Sequence, residues 1–198
     1  ARAPAAAKPN WYVGAGLGRA EIPEGFSDSS IHDGRAYTDT GLKSEQGSTL
    51  AKGFIGFNLN RYFAIEGGYV NVGRFGAERI YTGPDGSLSL KWTSAGFNLD
   101  LVGILPIGDA LSLQARLGFA RLHSKGEVRS NGALLSTESS NKFAPHIGVG
   151  VQYDINRTFA IRGEYELFKK AMNSNFIAWN DGREMQYQAV SASGIVKF

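Results

Sequence analysis

Alternation of apolar residues with small or polar ones recurs in eight segments of the chain, and this feature limits its fold most. The segments fall at 11–20, 51–58, 63–73, 90–105, 111–122, 142–154, 158–168 and 186–198. A transmembrane β-strand needs about 9–11 residues to cross a bilayer at its usual tilt. Successive side chains on a strand point to opposite sides. The pattern therefore predicts eight strands, each with an apolar side and a small or polar side.

The connections between these segments alternate in length. Tight connections lie at 58–62, 106–110 and 154–157, and long polar ones lie at 21–50, 74–89, 123–141 and 169–185. A soluble sandwich does not usually sort its loops in this way, whereas outer-membrane barrels have short periplasmic turns and long extracellular loops. The predicted fold class is all-β: an eight-stranded antiparallel transmembrane β-barrel in the outer membrane of a Gram-negative bacterium.

The size of the side chains indicates which side of each strand faces the barrel interior. In the first segment Trp11 and Leu17 share one side, while Gly14, Gly16 and Gly18 share the other. Eight strands enclose only a narrow interior. The glycine-rich side fits inside, so we expect the apolar side to point into lipid.

Composition excludes several classes of protein. The chain has no cysteine, which rules out thiol catalysis, iron–sulfur clusters and cysteine-based zinc sites. It has no long apolar run of the kind that forms a membrane-spanning helix. Its net charge of +3 comes without a polybasic run, so we expect no nucleic-acid partner. Residues 1–9 indicate a flexible tether, left by signal-peptide removal or added for expression, ahead of a barrel domain at 10–198.

An internal repeat indicates a cluster of charges in the interior. Residues 60–69 match residues 156–165, and the matched positions Glu66 and Arg162 differ in sign. Both fall on the interior side of their strands, the third and the seventh, and these two strands lie opposite each other in an eight-stranded barrel. An isolated charge there would cost several kcal/mol, so we predict an ion-pair network that plugs the lumen rather than a proton relay or ligand site. Its predicted members are Glu66, Asp100, Arg116, Gln152, Arg162 and Glu164.

Aromatic and basic residues collect at the strand ends. Aromatic belts at both interfaces are expected of a lipid-facing barrel. The predicted girdle comprises Trp11, Phe57, Phe63, Tyr69, Trp92, Tyr153, Phe159, Tyr165 and Phe198, with Phe119 and Phe143 also near the long loops. Basic residues at the extracellular ends are candidate contacts for lipopolysaccharide phosphates, and ordinary solvated charge is the alternative. They are Arg74, Arg79, Lys91, Arg121, Arg129, Lys169 and Lys170.

Short motifs along almost the whole chain carry a family resemblance. They include Asn10 to Gly18, Phe63 to Tyr69, Ala115 to Gly118, Pro145 to Tyr153, Ala160 to Tyr165 and Ser193 to Phe198. These motifs resemble the OmpA-like transmembrane domain family, small eight-stranded barrels of Gram-negative outer membranes. The resemblance leaves open whether a periplasmic domain follows in the natural protein.

The resemblance implies roles for individual residues. Glu66, Arg116 and Arg162 would belong to the family's luminal salt-bridge network. The terminal Phe198 would serve recognition by the barrel-assembly machinery. The chain departs from the family at three lumen positions that often carry charge, which are Gly16, Val102 and Gln152. We therefore expect a thinner network, which argues against gating by charge rearrangement.

Motifs for catalysis, cofactors or metals are weak. The glycines from Gly14 to Gly18 lack the sixth-position glycine of a dinucleotide site, and no phosphate-binding loop, zinc helix or nucleophile elbow is present. The histidines His32, His123 and His146 are too dispersed to indicate a metal site. We therefore predict no catalytic residue, no cofactor and no metal ligand.

A lipid-modifying barrel is the sharpest enzymatic alternative. Such an enzyme, for example a lipid A deacylase, needs a histidine, a serine and an acid on its lipid-facing side. His123 and Ser124, with Glu127 as a third member, are the nearest candidates. Adjacent residues on a strand point to opposite sides, so this pair is poorly arranged for proton transfer.

The function expected is that of a non-enzymatic surface barrel. It would support the envelope and present its extracellular loops for adhesion or recognition, with a host or phage ligand at the loops and lipopolysaccharide around the barrel. A narrow pore for ions or small solutes is the alternative, and the lipid-modifying enzyme comes third.

Overall fold

The computed structural model describes residues 10–21, 42–45, 47–80, 87–130, 132–172 and 185–198. The strands are β1 Trp11–Glu21, β2 Leu42–Glu45, β3 Gly47–Asn58, β4 Phe63–Ile80, β5 Ser87–Pro106, β6 Leu111–Ser130, β7 Ala133–Asp154, β8 Phe159–Met172 and β9 Met185–Lys197. Among these residues, no helix is long and apolar enough to span a membrane. The predicted tether at 1–9 lies outside the described residues.

All strand pairs are antiparallel, and the sheet closes on itself. Going round the barrel, the order is β1, β3, β4, β5, β6, β7, β8 and β9, and β9 pairs back with β1. The short strand β2 pairs with the upper part of β4, beyond the part that pairs with β3, so β2 and β3 together occupy one position in the barrel. The predicted eight-stranded antiparallel barrel is confirmed.

Two of the predicted long loops are largely strand. The segment at 123–141 continues β6 and β7 as a hairpin that turns at Gly132, whose φ of 79° suits glycine. Most of 74–89 likewise belongs to β4 and β5. The sequence misleads here because the outward residues of β6 become polar beyond Phe119, as in a loop, while the backbone ladder continues. The other two predicted loops lie at 21–50 and 169–185, and much of them, at 22–41 and 173–184, lies outside the described residues.

The repeated Asn-Arg motif forms the same tight turn at two places. The side-chain Oδ1 of Asn60 accepts hydrogen bonds from the backbone N–H groups of Tyr62 at 2.7 Å and Phe63 at 3.0 Å. Asn156 does the same for Thr158 at 2.8 Å and Phe159 at 2.7 Å. Asparagine is favoured here because its side chain can replace a backbone acceptor in a turn. The repeat therefore starts β4 and β8 with matching geometry.

Two buried apolar clusters fill the lumen, one above the other. The periplasmic cluster contains Tyr12, Phe54, Ala64, Val102, Ala160 and Ile195. The extracellular cluster contains Ala20, Leu50, Val70, Val72, Phe75, Ala120, Leu122, Ala144, Phe168, Tyr187 and Ala189. On β8 the order Ala160, Arg162, Glu164, Glu166 and Phe168 passes from one cluster through a charged layer to the other. The charged layer therefore lies between two apolar layers.

Glycine makes room for large rings in the lumen. A Cβ atom at Gly56 would lie 2.1 Å from Cζ of Tyr12, and one at Gly14 would lie 2.3 Å from Cζ of Phe54. Each ring thus lies over a glycine of the neighbouring strand. The lumen is not filled by small residues alone, because glycine on one strand creates the space that an aromatic residue on the next strand fills.

Candidate functional site

Glu66 lies at the centre of the luminal charged layer. Its carboxylate, fully buried on β4, accepts a hydrogen bond from the hydroxyl of Tyr12 at 2.7 Å. Nη1 of Arg162, on the opposite strand β8, lies 2.5 Å from Oε1, and Nη2 of Arg116 on β6 lies 3.0 Å from Oε2. Two guanidinium groups and one phenol therefore share one carboxylate.

Arg116 connects this centre to three further acids. Its guanidinium forms an ion pair with Glu164 and lies 3.5 Å from carboxylate oxygens of both Asp100 and Glu166. Lys52, which reaches into the lumen from β3, also pairs with Glu164 and lies 2.8 Å from Glu166. Each buried charge in this layer thus has several partners, as burial in a low-dielectric interior requires.

His146 links two of the acids at the top of the layer. Its Nδ1 lies 2.8 Å from Oδ1 of Asp100, and its Nε2 lies 3.3 Å from Oε1 of Glu166. The ring stacks on Phe168 of the extracellular apolar cluster, with centroids 4.2 Å apart. His146 is the boundary between the charged layer and the apolar layer above it.

The structure brings all six sequence-predicted lumen residues into one connected network. Gln152 accepts hydrogen bonds from Arg162 at 2.9 and 3.0 Å and from Gln114 at 3.0 Å, so an amide there serves as an acceptor for the guanidinium. The network also includes Lys52, His146 and Glu166, which the sequence analysis did not assign to it. The network therefore has three more charged or titratable members than the sequence analysis assigned to it.

Alternation along their strands is the sequence feature that could have identified Lys52, His146 and Glu166, because it puts all three on the interior side. Lys52 shares the interior side of its strand with Phe54, and Glu166 continues the interior side of Glu164 by one step. His146 already lies on the interior side of its strand. Parity, however, does not tell which interior residues reach the same height.

The predicted girdle residues lie at both ends of the lipid-facing surface. Near the periplasmic turns, about half of the surface of each of Trp11, Phe63, Tyr153 and Phe159 is exposed, and Phe198 is exposed too. The ring of Phe57 is half-buried and packs 4.8 Å from that of Trp11. At the other end Tyr69, Phe119, Phe143 and Tyr165 are exposed together with Phe97. The side chain of Trp92 lies outside those the structure describes.

The basic residues at the extracellular ends do not form one group. Arg74, Lys91 and Arg121 are exposed on the outer surface of β4, β5 and β6. Arg129 pairs with Glu127 at 3.2 Å, and this hydrogen bond holds the pKa of the Glu127 carboxyl below its usual value. Lys169 is exposed on β8, which is separated from β6 by β7. The side chains of Arg79 and Lys170 lie outside the described set.

The candidate catalytic pair His123 and Ser124 is split between the two sides of β6. His123 is exposed on the outer surface, where its Nδ1 lies 2.9 Å from Oδ1 of Asn141. Ser124 is buried on the lumen side and hydrogen-bonds to Ser94 at 3.0 Å. The two side chains therefore point away from each other.

A closed antiparallel barrel with a broad apolar outer surface, exposed aromatic residues at both ends and a filled charged lumen is an integral outer-membrane β-barrel. The model of the OmpA-like transmembrane domain matches residues 6–193. The chain belongs to this family and is a protein of the Gram-negative outer membrane.

Three solved structures with the same fold are distant in sequence from this chain. Ail, the attachment invasion locus protein of Yersinia pestis, in complex with the heparin analogue sucrose octasulfate, is similar with a TM-score of 0.56 and 13% identity, over 97% of this chain and 100% of that chain. OprG from Pseudomonas aeruginosa has a TM-score of 0.53 and 15% identity, over 96% of this chain and 94% of that chain. Neisserial surface protein A has a TM-score of 0.52 and 13% identity, over 95% and 97%. No curated protein matches the chain.

Proposed function

We propose that the protein is a non-enzymatic surface barrel that supports the outer membrane and presents its extracellular end for adhesion or recognition. The observation that carries this proposal is the long β6–β7 hairpin above a filled lumen. The outward apolar residues of β6 end at Phe119, yet the strand continues to Ser130 and pairs with β7 over this length. At about 3.4 Å per residue, the hairpin extends roughly 37 Å along β6 beyond Phe119.

The end of this hairpin exposes apolar side chains. Leu134 and Leu135 follow the turn at Gly132, and they are 55% and 64% exposed. Adjacent exposed leucines far from the lipid-facing surface have no role in crossing the membrane, and exposed apolar groups often mark contact sites. A rigid hairpin also presents such a contact with little loss of conformational entropy. Leu134 and Leu135 are therefore suited to contact a partner at the end of the hairpin.

The filled lumen argues against conduction as the main role. A pore would need a continuous polar path, but the charged layer is bounded by buried apolar side chains such as Val102 below and Phe168 above. A narrow pore remains the second candidate, because a charged layer such as that around Glu66 is a feature that ion pathways share. The separation of His123 from Ser124 argues against lipid modification by that pair.

Three partners belong to this proposal. Outer-leaflet lipid, including lipopolysaccharide, would surround the apolar outer surface. Phe198, whose backbone pairs with Trp11 at the periplasmic end, would be the recognition element for the barrel-assembly machinery. A host or phage ligand would bind the extracellular end, and heparin is a suitable first probe because Ail was crystallised with a heparin analogue.

Adherence of bacteria that display the protein tests the recognition role. We expect cells of a non-adherent host strain that display the protein to bind epithelial monolayers or immobilised heparin, and Leu134→Ser/Leu135→Ser to abolish the gain. The matched control is Leu59→Ser/Ile155→Ser, which removes two exposed apolar residues at periplasmic turns instead. Adherence no greater than that of the empty host, or equal adherence of the tip variant, would refute the proposal.

Conductance in planar lipid bilayers separates the second candidate from the first. A folded sample, identified by its heat-dependent gel migration, should give no discrete current steps. Reproducible steps that change in Glu66→Gln would instead favour a pore that passes through the charged layer.

A further inference from the structure

The upper boundary of the lipid-facing surface can be located on four neighbouring strands. Tyr69, Phe97, Arg121 and Phe143 lie side by side in register on β4, β5, β6 and β7. Below this row the outward residues are mainly apolar. The next row above contains Asn71, Ala95, His123 and Asn141, and the row after it contains Arg74, Thr93, Lys125 and Ser139. On all four strands the outward residues thus change from mainly apolar to mainly polar at the same register row, where the aromatic belt marks the membrane interface.

Four permanent cations occupy this transition on one side of the barrel. They are Arg74, Lys91, Arg121 and Lys125, which we call the cationic band, and all four are exposed on the outer surface. Arg74 and Lys125 lie on either side of Thr93, so their Cα atoms are roughly 10 Å apart. Arg121 lies two rows lower, between the aromatic residues Phe97 and Phe143.

The cations of the band are only weakly neutralised by protein groups. Among the side chains that the structure describes on this surface, Glu127 is the acid next to the band. Its carboxylate lies 3.5 Å from Lys125 and 3.2 Å from Arg129. The guanidinium of Arg121 instead lies over the ring of Phe143, 5.8 Å from its centroid. On the far side of the barrel, exposed Arg19 pairs with Glu21 at 2.8 Å. The band is therefore a local excess of positive charge at the membrane surface.

We propose that the cationic band is a binding site for the phosphorylated headgroup of an outer-leaflet glycolipid, as in lipid A. Guanidinium and ammonium groups bind phosphate oxygens strongly, and basic residues at an anionic membrane surface each contribute about tenfold or less to affinity. The aromatic row marks the membrane interface, so the band beside it lies at the level of the lipid headgroups rather than in bulk solvent. The site rests on the proposed contact with lipopolysaccharide and gives that contact specific residues.

Binding of bisphosphorylated lipid A to the refolded full chain in detergent tests the site. Native mass spectrometry with increasing lipid A should give an affinity at least tenfold weaker for Arg121→Gln/Lys125→Gln than for the unmodified protein. Lipid A that lacks its phosphates should bind both proteins equally weakly. The matched control is Arg19→Gln/Arg157→Gln, which removes the same charge from exposed positions outside the band and should leave the affinity unchanged. All variants are checked for heat-dependent gel migration.

Three results would overturn the inference. Equal affinity of the band variant and the unmodified protein would mean that the band does not contact the headgroup. An equal loss in the control pair would mean that only total charge matters. If the band variant lost heparin binding but kept lipid A binding, the ligand would be a soluble polyanion instead. The hairpin-tip variant should bind lipid A normally, so failure of the adhesion proposal and failure of this one are distinguishable.

Discussion

Replacing Glu66 by glutamine should destabilise the barrel strongly. The substitution preserves the volume of the side chain but removes the charge shared by Arg162 at 2.5 Å and Arg116 at 3.0 Å. Removing one partner of a buried ion pair costs about 3–5 kcal/mol because the other charge stays buried. Arg116 keeps Glu164 and Arg162 keeps Gln152, so we expect a value at the lower end, about 3 kcal/mol.

Two further variants provide a comparison for the loss of unfolding free energy expected in Glu66→Gln. Tyr12→Phe removes one hydrogen bond of 2.7 Å to the same carboxylate and leaves the charges in place, so it should cost about 1.5 kcal/mol. Glu21→Gln breaks the exposed pair with Arg19, and such pairs contribute less than about 1 kcal/mol. The expected order of the losses in unfolding free energy is Glu66→Gln, then Tyr12→Phe, then Glu21→Gln.

Urea unfolding of the refolded proteins in lipid vesicles measures these differences. The transition must be reversible, and its slope must be the same in every variant so that midpoints can be compared as free energies. If Glu66→Gln unfolds at the same urea concentration as Glu21→Gln, the charged layer does not stabilise the barrel and the reasoning is wrong.

Two further predictions use the same assay. Gly56→Ala should cost about 1–3 kcal/mol because its Cβ would lie 2.1 Å from Cζ of Tyr12, whereas Gly194→Ala, with nothing within 4 Å, should leave the midpoint unchanged; equal effects would contradict the packing. Leu101→Arg, outward near the middle of the apolar part of β5 at 97–105, should cost about 2–4 kcal/mol, whereas Leu134→Arg at the hairpin tip should have little effect; the reverse pattern would mean that the lipid-facing surface lies elsewhere.

The filled lumen explains why this barrel can be stable with buried charges. The apolar clusters above and below keep water from the charged layer, which strengthens each ion pair but also makes each unpaired charge costly. Lys52 and Arg116 both serve Glu164, so the layer satisfies its charges by sharing partners. A charged layer enclosed in this way would act as a structural plug. We therefore expect partners to bind at the extracellular surface rather than in the lumen.

Local sequence determined the strands, their sides and the tight turns. Alternation assigned Leu101 to the lipid side and Glu66 to the lumen, because side chains on a strand alternate whatever the strand pairs with. The asparagines of the two repeats determined their turns through hydrogen bonds within three residues. The family motifs agreed with this assignment because they are built from the same local patterns.

Tertiary structure alone decided which residues meet. Lys52 reaches Glu164, and His146 lies between Asp100 and Glu166, because the stagger between neighbouring strands accumulates round the barrel and sets the height of each side chain. The length of the β6–β7 hairpin was also decided there, since the outward residues of β6 beyond Phe119 are polar like those of a loop, and only the pairing with β7 shows how far the ladder continues. Parity is a property of one strand, but height and pairing are properties of the closed sheet.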